Sequence, residues 1–454
     1  MARGTFAGGV HVDDGKDMSR DRSIQTVFPE NGEMVFPLSQ HIGKPSIPVV
    51  HVGDYVRTGQ LIARADTEMS ANLHASVSGR VTAIEERPTA GGEKEMSIVI
   101  ENDGVFLEVF YPENRQMEQL NRYTVLSGIR NAGIVGMGGA GMPTYYKLSQ
   151  ADETDTEVII ANCVECEPYL TSDYRRILEN PWKIINGLMV LLTIFPRAKG
   201  FIAVSRDNPE GFVLLRDLLR DEPRIFVKKV SSKFPVGSER QLIYALTGRS
   251  MNARMLPYDI GCLVCNTDTL VAINQAVIMN EPLITRIVTV TGDAIEKPCN
   301  FRVRIGMSYL DLLEQAGGFR KDLTVNDVLI LDGGPMTGRV ITDLNVPVTK
   351  LTSAIVVMRK QKMTIQPTTP CMRCGRCIQV CPNALVPLTL FRDAQKDNET
   401  AFVRHNGLEC NNCGCCSYTC PSKLQLSPAI FSMKAKIMKK PEMAGDYTRR
   451  FMRK

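Results

Sequence analysis

The chain has 454 residues, too long for one ordinary domain; length alone suggests about three. Apolar residues make up 44% and charged residues 23%, near the globular average, so sizeable cores are possible. The formal charge of +5 is mild, and no nucleic-acid partner is expected.

Charge collects at the C-terminus. From Phe431 onward, Lys434, Lys436, Lys439, Lys440, Arg449, Arg450, Arg453 and Lys454 stand against Glu442 and Asp446. Such a tail suits an anionic membrane face or an acidic partner, or is a solvated end. Met1–Asp21 has no apolar core of a secretory signal. The longest uncharged apolar stretch, Ile184–Pro196, spans 13 residues, too few to cross a bilayer, and reads as a buried helix. The chain is therefore expected to be soluble by itself. Fourteen cysteines, clustered as Cys-x-x-Cys in a long chain without a secretion signal, point to metal in a reducing compartment.

In chain order, residues 28–110 alternate apolar positions between glycine turns, as in Pro48–Gly59 and Ser76–Ile84, which predicts a small β-sandwich or barrel. This stretch resembles the barrel-sandwich hybrid of lipoyl and biotinyl domains. Those domains present a lysine for attachment; residues 65–79 contain none, so a structural or docking module is expected. Residues 120–280 alternate strand and helix patterns: strands at Glu157–Asn162, Gly200–Ser205 and Arg224–Lys228, a helix over Ile177–Phe195, and another around Arg216. That predicts an α/β domain with a mostly parallel sheet. Residues 284–360 return to strands, Arg286–Thr291 and Val328–Asp332, around a helix at Ser308–Ala316, and resemble the β-grasp domain called SLBB. Pro367, Thr368, Thr369 and Pro370 read as a hinge.

Two cysteine runs follow. Cys371, Cys374, Cys377 and Cys381, then Cys410, Cys413, Cys416 and Cys420, share the x2-x2-x3 spacing of bacterial ferredoxins, each run closed by a proline. Three thiolates from one tight loop reach three irons of a cubane, while the fourth begins a new turn and points away. In two-cluster ferredoxins the fourth cysteine serves the other cluster. The expected sets are Cys371, Cys374, Cys377 and Cys420 for one [4Fe–4S] cluster, and Cys381, Cys410, Cys413 and Cys416 for the other. Zinc, the competing reading, fits poorly with eight cysteines in two runs of four. Cys415 is expected to be a non-ligand. Cys163, Cys166, Cys262 and Cys265 form two further x2 pairs, read as buried or flavin-lining thiols or, alternatively, a third metal centre; Cys299 also lies outside the runs.

The other strong signal is a glycine loop, Gly133-Ile-Val-Gly136-Met-Gly138-Gly139-Ala-Gly141-Met-Pro143, with Lys147 after it. Small residues let backbone amides approach a phosphate. A plain structural turn is the competing reading, and no strong strand precedes the loop as in a dinucleotide fingerprint. Its company raises the signal: Asn162-Cys-Val-Glu165-Cys-Glu167-Pro168 ends a strand, while Phe234–Arg240 and Val264–Thr269 each open a helix. Singly, Glu165, Glu167 and Asp268 would read as helix caps or solvated charges.

The loop, the Asn-x-x-Glu-x-Glu-Pro run and the Asn266-Thr-Asp-Thr269 turn resemble the flavin-binding subunit of respiratory complex I. The whole order, with Pro37-Leu-Ser-Gln-His41-Ile-Gly43, resembles the C-subunit family of the Rnf electron-transport complex. That resemblance implies a multidomain α/β plus β fold: a lipoyl-like barrel-sandwich hybrid within 1–115, a complex-I-flavoprotein-like α/β domain at 116–283, an SLBB β-grasp at 284–360, a dicluster ferredoxin-like α-helical domain at 361–430, and the basic tail 431–454. It implies that Gly136, Gly138, Gly139, Lys147, Asn162, Glu165, Gly237, Asn266 and Thr269 hold FMN. Gly139, Lys147, Glu167 and Glu239 would border NAD(H). Met137, Met142 and Val164 stand where the complex I pattern has arginine, an aromatic and aspartate. The implied activity is that of an NADH-reactive flavin and iron–sulfur oxidoreductase subunit, with no side-chain acid, base or nucleophile needed. It would sit peripherally on the cytoplasmic side of the cell membrane with the other Rnf subunits, especially the iron–sulfur subunit that accepts electrons from ferredoxin. Alternatives are a soluble flavin–iron–sulfur reductase, like the cobalamin reductase of diol-degrading microcompartments or the proline-reductase-associated protein, or a pure electron-transfer scaffold.

Overall fold

A computed structural model of the chain describes residues 4–360 and 367–440. It divides into two compact units: Asp14–Val230 with Pro257–Met363, and Met1–Asp13 with Ser231–Leu256 and Thr364–Lys454. The stretch expected as one α/β domain at 116–283 thus contributes to both.

In the larger unit, the barrel-sandwich expectation is met by two small antiparallel sheets. One runs in the order Gly32–Pro37, Lys94–Asn102, Gly79–Pro88, Tyr55–Val56; the other Ile47–Pro48, Leu61–Arg64, Leu73–His74. Alternation drives the burial: Val81 is buried between exposed Arg80 and Thr82, as a strand with one wet face requires. Met34, Phe36, Ile62, Leu73, Ile98 and Ile100 join the common core.

The parallel sheet is present. Its four strands lie in the order Ile225–Val230, Lys199–Ser205, Val158–Cys163, Cys262–Asn266, all parallel. The first strand in sequence has the second on one side and the fourth on the other, so the strand order reverses beside Val158–Cys163. The helix expected over Ile177–Phe195 is two helices, Ser172–Glu179 and Pro181–Ile194. Proline disfavours a helical residue before it, so Asn180 leaves the helical region at φ −135°, and Pro181 starts the next helix.

Helix Pro181–Ile194 is the apolar stretch noted in the sequence, and it is buried through Ile184, Ile185, Leu188, Leu191 and Leu192. Among the described residues, no helix is long and apolar enough to cross a membrane. It packs tightly on helix Thr267–Ile278: a Cβ on Gly187 would lie 2.0 Å from the Leu270 carbonyl oxygen.

The SLBB region is a mixed six-stranded sheet, Gln25–Val27, Cys299–Arg304, Thr285–Thr291, Ala354–Arg359, Val328–Asp332, Arg339–Ile341, with helix Tyr309–Gln315. Its edge strand Gln25–Val27 comes from the N-terminal region and pairs in parallel with Phe301–Val303.

The smaller unit holds helix Glu239–Thr247 and five helices around the cysteines: Arg376–Gln379, Pro387–Gln395, Glu399–Arg404, Cys415–Tyr418 and Leu426–Met438. Its core is Leu385, Leu390, Phe402, Ile430, Met433 and Ile437. The basic tail therefore begins as packed helix, because Ile430, Met433 and Ile437 recur on one helical face. Glu442, Asp446, Arg449, Arg450, Arg453 and Lys454 lie outside the described residues. The expected hinge is tied down as well: Thr369 N–H donates to the Ser422 carbonyl at 3.1 Å, and the Ser422 hydroxyl donates to the Pro370 carbonyl at 3.1 Å.

Gly187→Ala forces the two apolar helices apart, and overpacking of this kind costs about 1–3 kcal/mol. The sole tryptophan, Trp182, sits on the first of these helices. Its fluorescence during urea unfolding should show the midpoint falling accordingly; an unchanged midpoint would contradict the close approach.

Candidate functional site

The reversal of strand order fixes where a ligand can lie. In open α/β sheets, binding occurs beyond the carboxyl ends of the strands, where adjacent connections leave in opposite directions. Here that point lies between Val158–Cys163 and Cys262–Asn266, whose last paired residues are Asn162 and Asn266. Both asparagines named from the sequence thus stand side by side at the crevice.

The glycine loop reaches the same place. It is closed at its base by the Gly136 N–H donating to the Met142 carbonyl at 2.9 Å, with Val135 bridged to Pro143. Met137 N–H donates to the Thr269 hydroxyl at 3.0 Å. A Cβ on Gly138 would sit 2.8 Å from the Asn266 Cβ, so only glycine lets the backbone lie against Asn266. Gly139, at the exposed tip, has open space where a side chain would be. The Lys147 ammonium donates to the Val264 carbonyl at 2.7 Å, holding its charge on strand Cys262–Asn266 two residues before Asn266. Gly136, Gly138, Gly139, Lys147, Asn162, Asn266 and Thr269 are therefore brought together by one sheet edge and one loop.

The acidic candidates occupy different stations. Glu165, in the left-handed region at φ 47°, turns its carboxylate onto the start of helix Ser172–Glu179. It accepts from Asp173 N–H at 2.7 Å, Tyr174 N–H at 3.1 Å and the Ser172 hydroxyl at 3.2 Å, and Lys16 donates to its carbonyl. Glu167 accepts from Met336 N–H at 2.8 Å, and from Thr337 N–H at 3.2 Å and its hydroxyl at 3.1 Å, in the turn between two SLBB strands. Burial pushes its carboxyl up, opposed by those bonds. Gly237 and Glu239 belong to the smaller unit, at the entry to helix Glu239–Thr247.

Beneath the crevice lies a charge network that sequence reasoning missed. Asp268 is buried with two guanidiniums, Arg176 Nε at 2.8 Å and Arg286 Nη1 at 2.7 Å. Burial opposes its charge, but the two arginines outweigh that and hold the carboxyl below its usual range. Asp173, accepting from Asn266 Nδ2 at 3.1 Å, is raised well above the usual range by burial beside Glu165 and Asp268. Arg286 also donates to the Thr352 carbonyl at 3.1 and 3.0 Å.

In the smaller unit the two cysteine runs are structural repeats. Arg373 and Gly375 in the first, Asn412 and Gly414 in the second, take the same left-handed turns, as do Ala384 and Lys423. Cys371, Cys374, Cys377 and Cys420 line one cavity with Ile378, Leu388 and Leu424. Cys381, Cys410, Cys413 and Cys416 line another with Cys415, Leu385, Leu390 and Ile430. Backbone amides point at the sulfurs: Arg373 N–H to Cys371 Sγ at 3.4 Å and Leu385 N–H to Cys381 Sγ at 3.3 Å. Cys415 is buried, its thiol 3.9 Å from the Phe234 carbonyl. Cys163, Cys262 and Cys265 are buried, and burial pushes the Cys163 thiol up to about 12. Among the described residues, no group of three or more His, Cys, Asp and Glu side chains is placed to hold a single metal ion.

Comparison with known proteins defines the class first. Residues 129–275 match the Nuo51 FMN-binding domain, 4–105 the RnfC barrel sandwich hybrid domain, 287–340 the SLBB domain and 357–424 the 4Fe-4S dicluster domain. These four together define a flavin and iron–sulfur electron-transfer protein.

The particular family follows from whole-chain likeness. The chain is 39% identical to the C subunit of the proton-translocating ferredoxin:NAD(+) oxidoreductase complex of Clostridium ljungdahlii, over 87% of this chain and 85% of that one. It is 36% identical to the Na(+)-translocating counterpart of Acetobacterium woodii, over 90% and 91%. With the C subunit of the ion-translocating oxidoreductase complex of Pseudomonas aeruginosa it shares 37% identity, over 88% of this chain and 51% of that one. The chain belongs to the family of C subunits of ion-translocating ferredoxin:NAD oxidoreductase (Rnf) complexes.

Lys350 is one pH-dependent element of this unit. It is almost completely buried, and burial pushes its ammonium down from 10.5 to about 7. Between those values the unfolded chain holds a proton that the folded chain has released, so this group makes the fold more stable as pH rises from 7 toward 10. The stability of wild type relative to Lys350→Met, measured by urea unfolding across that range, should rise with pH; a pH-independent difference would contradict the burial.

Proposed function

We propose that the chain exchanges hydride between NAD(H) and FMN and passes the electrons singly through two [4Fe–4S] clusters, within a ferredoxin:NAD oxidoreductase complex. The observation that carries this reading is the meeting of the glycine loop with Asn162, Asn266, Thr269 and Lys147 at the reversal of the parallel sheet, in one chain with two cysteine-lined cavities. When bound, FMN takes electrons as a pair and releases them one at a time, and each cluster carries one.

The residues present suit these groups. The exposed tip Gly138–Ala140 offers backbone without side-chain bulk to a phosphate, and Lys147 adds a cation nearby. Asn162, Asn266 and Thr269 supply amide and hydroxyl groups at the crevice. Glu165 shapes the same edge, because its carboxylate is spent on three donors at the start of helix Ser172–Glu179. Gly139 and Lys147 are the residues of this unit proposed to border the nicotinamide nucleotide, and Glu167 supports that side through its bonds to Met336 and Thr337.

For the clusters we assign Cys371, Cys374, Cys377 and Cys420 to one and Cys381, Cys410, Cys413 and Cys416 to the other, the grouping in which they line the two cavities. The partners proposed are the other subunits of the complex, especially its iron–sulfur subunit, with ferredoxin reached through them. Placement on the cytoplasmic side of the membrane belongs to the same proposal, as the side where NAD(H) is found.

Anaerobic reconstitution of the chain should give about eight irons, four per cubane, and one FMN. Lys147→Ala should weaken FMN binding by about tenfold, the scale of one hydrogen bond to a charged group, with iron unchanged; undiminished FMN binding would count against the site.

Exchange of the fourth cysteines makes a separate prediction. Cys420→Ala should lose the same electron-paramagnetic-resonance signal as Cys371→Ala, retaining about four irons. If it instead loses the signal missing in Cys413→Ala, each run builds its own cluster and the assignment is wrong.

A further inference from the structure

The site so far described uses the middle of the glycine loop. Its two ends are held by residues to which that reading gives no part. At one end, Gly133 adopts φ 66°, and a Cβ there would lie 2.1 Å from the Asn72 carbonyl oxygen and 3.0 Å from Lys350 Nζ. The Lys350 ammonium donates to both neighbouring carbonyls, Gly133 at 2.8 Å and Asn72 at 2.6 Å. At the other end, Gly141 adopts φ 76°, with Leu351 and the His41 backbone where its side chain would be. The Ile42 N–H donates to the Gly141 carbonyl at 3.2 Å.

These two grips are one construction. The Lys350 N–H donates to Gln40 Oε1 at 2.9 Å, and Gln40 Nε2 donates to the Pro37 carbonyl at 3.1 Å. His41 Nε2 accepts from the Ala71 N–H at 3.1 Å, which anchors the segment that presents Asn72. The sequence motif Pro37–Gly43 is thereby accounted for, since with Lys350 and Leu351 it fastens the loop at Gly133 and Gly141.

We propose that Lys350 is the positioning residue of the glycine loop, clamping its first glycine to the barrel-sandwich domain while Gln40–Ile42 clamp its last. One physical fact favours a role beyond packing. A buried amine is costly compared with an apolar side chain of the same length unless its N–H groups are bonded, and here they go to the two carbonyls, Gly133 and Asn72, that join the loop to the barrel-sandwich domain. Fixing the loop before the ligand arrives spares the ordering cost at binding. The inference rests on the FMN reading for its consequence, but not for its geometry.

The test uses the full chain with its clusters reconstituted, comparing wild type, Lys350→Met and Gln40→Met. Hydrogen–deuterium exchange without flavin reads the clamp directly, at the Gly136 and Met137 amides that are bonded to Met142 and Thr269. Both variants should exchange there about tenfold faster, with strand Val158–Cys163 still protected. FMN affinity should fall about tenfold in Lys350→Met, with altered visible circular dichroism of the bound flavin and unchanged iron. Exchange within twofold of wild type in both variants overturns the proposal, as does protection lost equally from the strand. If Lys350→Met fails to fold, Gln40→Met decides by the same exchange measurement. A wild type that binds no FMN defeats the flavin reading, while the exchange comparison still decides the clamp.

Discussion

The larger unit depends on one hydrogen-bonded register, that of strand Cys262–Asn266 beside Val158–Cys163. Because the fourth strand adds on the opposite side of the first from the second, the connections diverge and a crevice opens at their carboxyl ends. Asn162 and Asn266 then face each other across a single strand spacing. Nothing in the loop could build a site without that edge to rest on: Met137 is bonded to Thr269, and Gly138 lies against Asn266.

The edge is held by buried charge. Asp268, one residue into helix Thr267–Ile278, ties helix Ser172–Glu179 through Arg176 and the SLBB sheet through Arg286. Removing one member of such a group leaves an uncompensated buried charge, which costs more than the intact group contributes. Asp173 lies between this network and Asn266, its carboxyl raised by burial among other carboxylates. The same residues that frame the crevice therefore also join three elements of the fold.

Legibility followed the range of the physics. The cysteine runs were readable because cluster ligation is local in sequence, and their repeated left-handed turns at Gly375 and Gly414 are what glycine at those positions permits. Three of the four strands of the parallel sheet were readable as apolar runs. The break at Asn180–Pro181 was present in the sequence but overruled by the continuous apolar pattern on either side. Pairing of Gln25–Val27 with Phe301–Val303 could not be read, since three residues carry no signal for a partner so distant in the chain. In the site, glycines and asparagines announced themselves by type and spacing. Lys350 did not: one lysine after Val346-Pro-Val-Thr looks like a solvated charge until folding brings Asn72 and Gly133 to it. Glu165 and Glu167 stood in a legible motif, yet which donors they would satisfy depended on Ser172–Tyr174 and the Met336–Thr337 turn.

A flavin pocket and iron–sulfur clusters on one polypeptide suit the conversion of paired to single electrons. Anaerobic titration of the reconstituted chain with NADH, followed together by visible absorbance and electron paramagnetic resonance, tests it most directly. Bleaching of the flavin band should be accompanied by the signals of reduced clusters, with no other donor present. Flavin that bleaches while clusters reducible by dithionite stay oxidised at every NADH level would contradict the account.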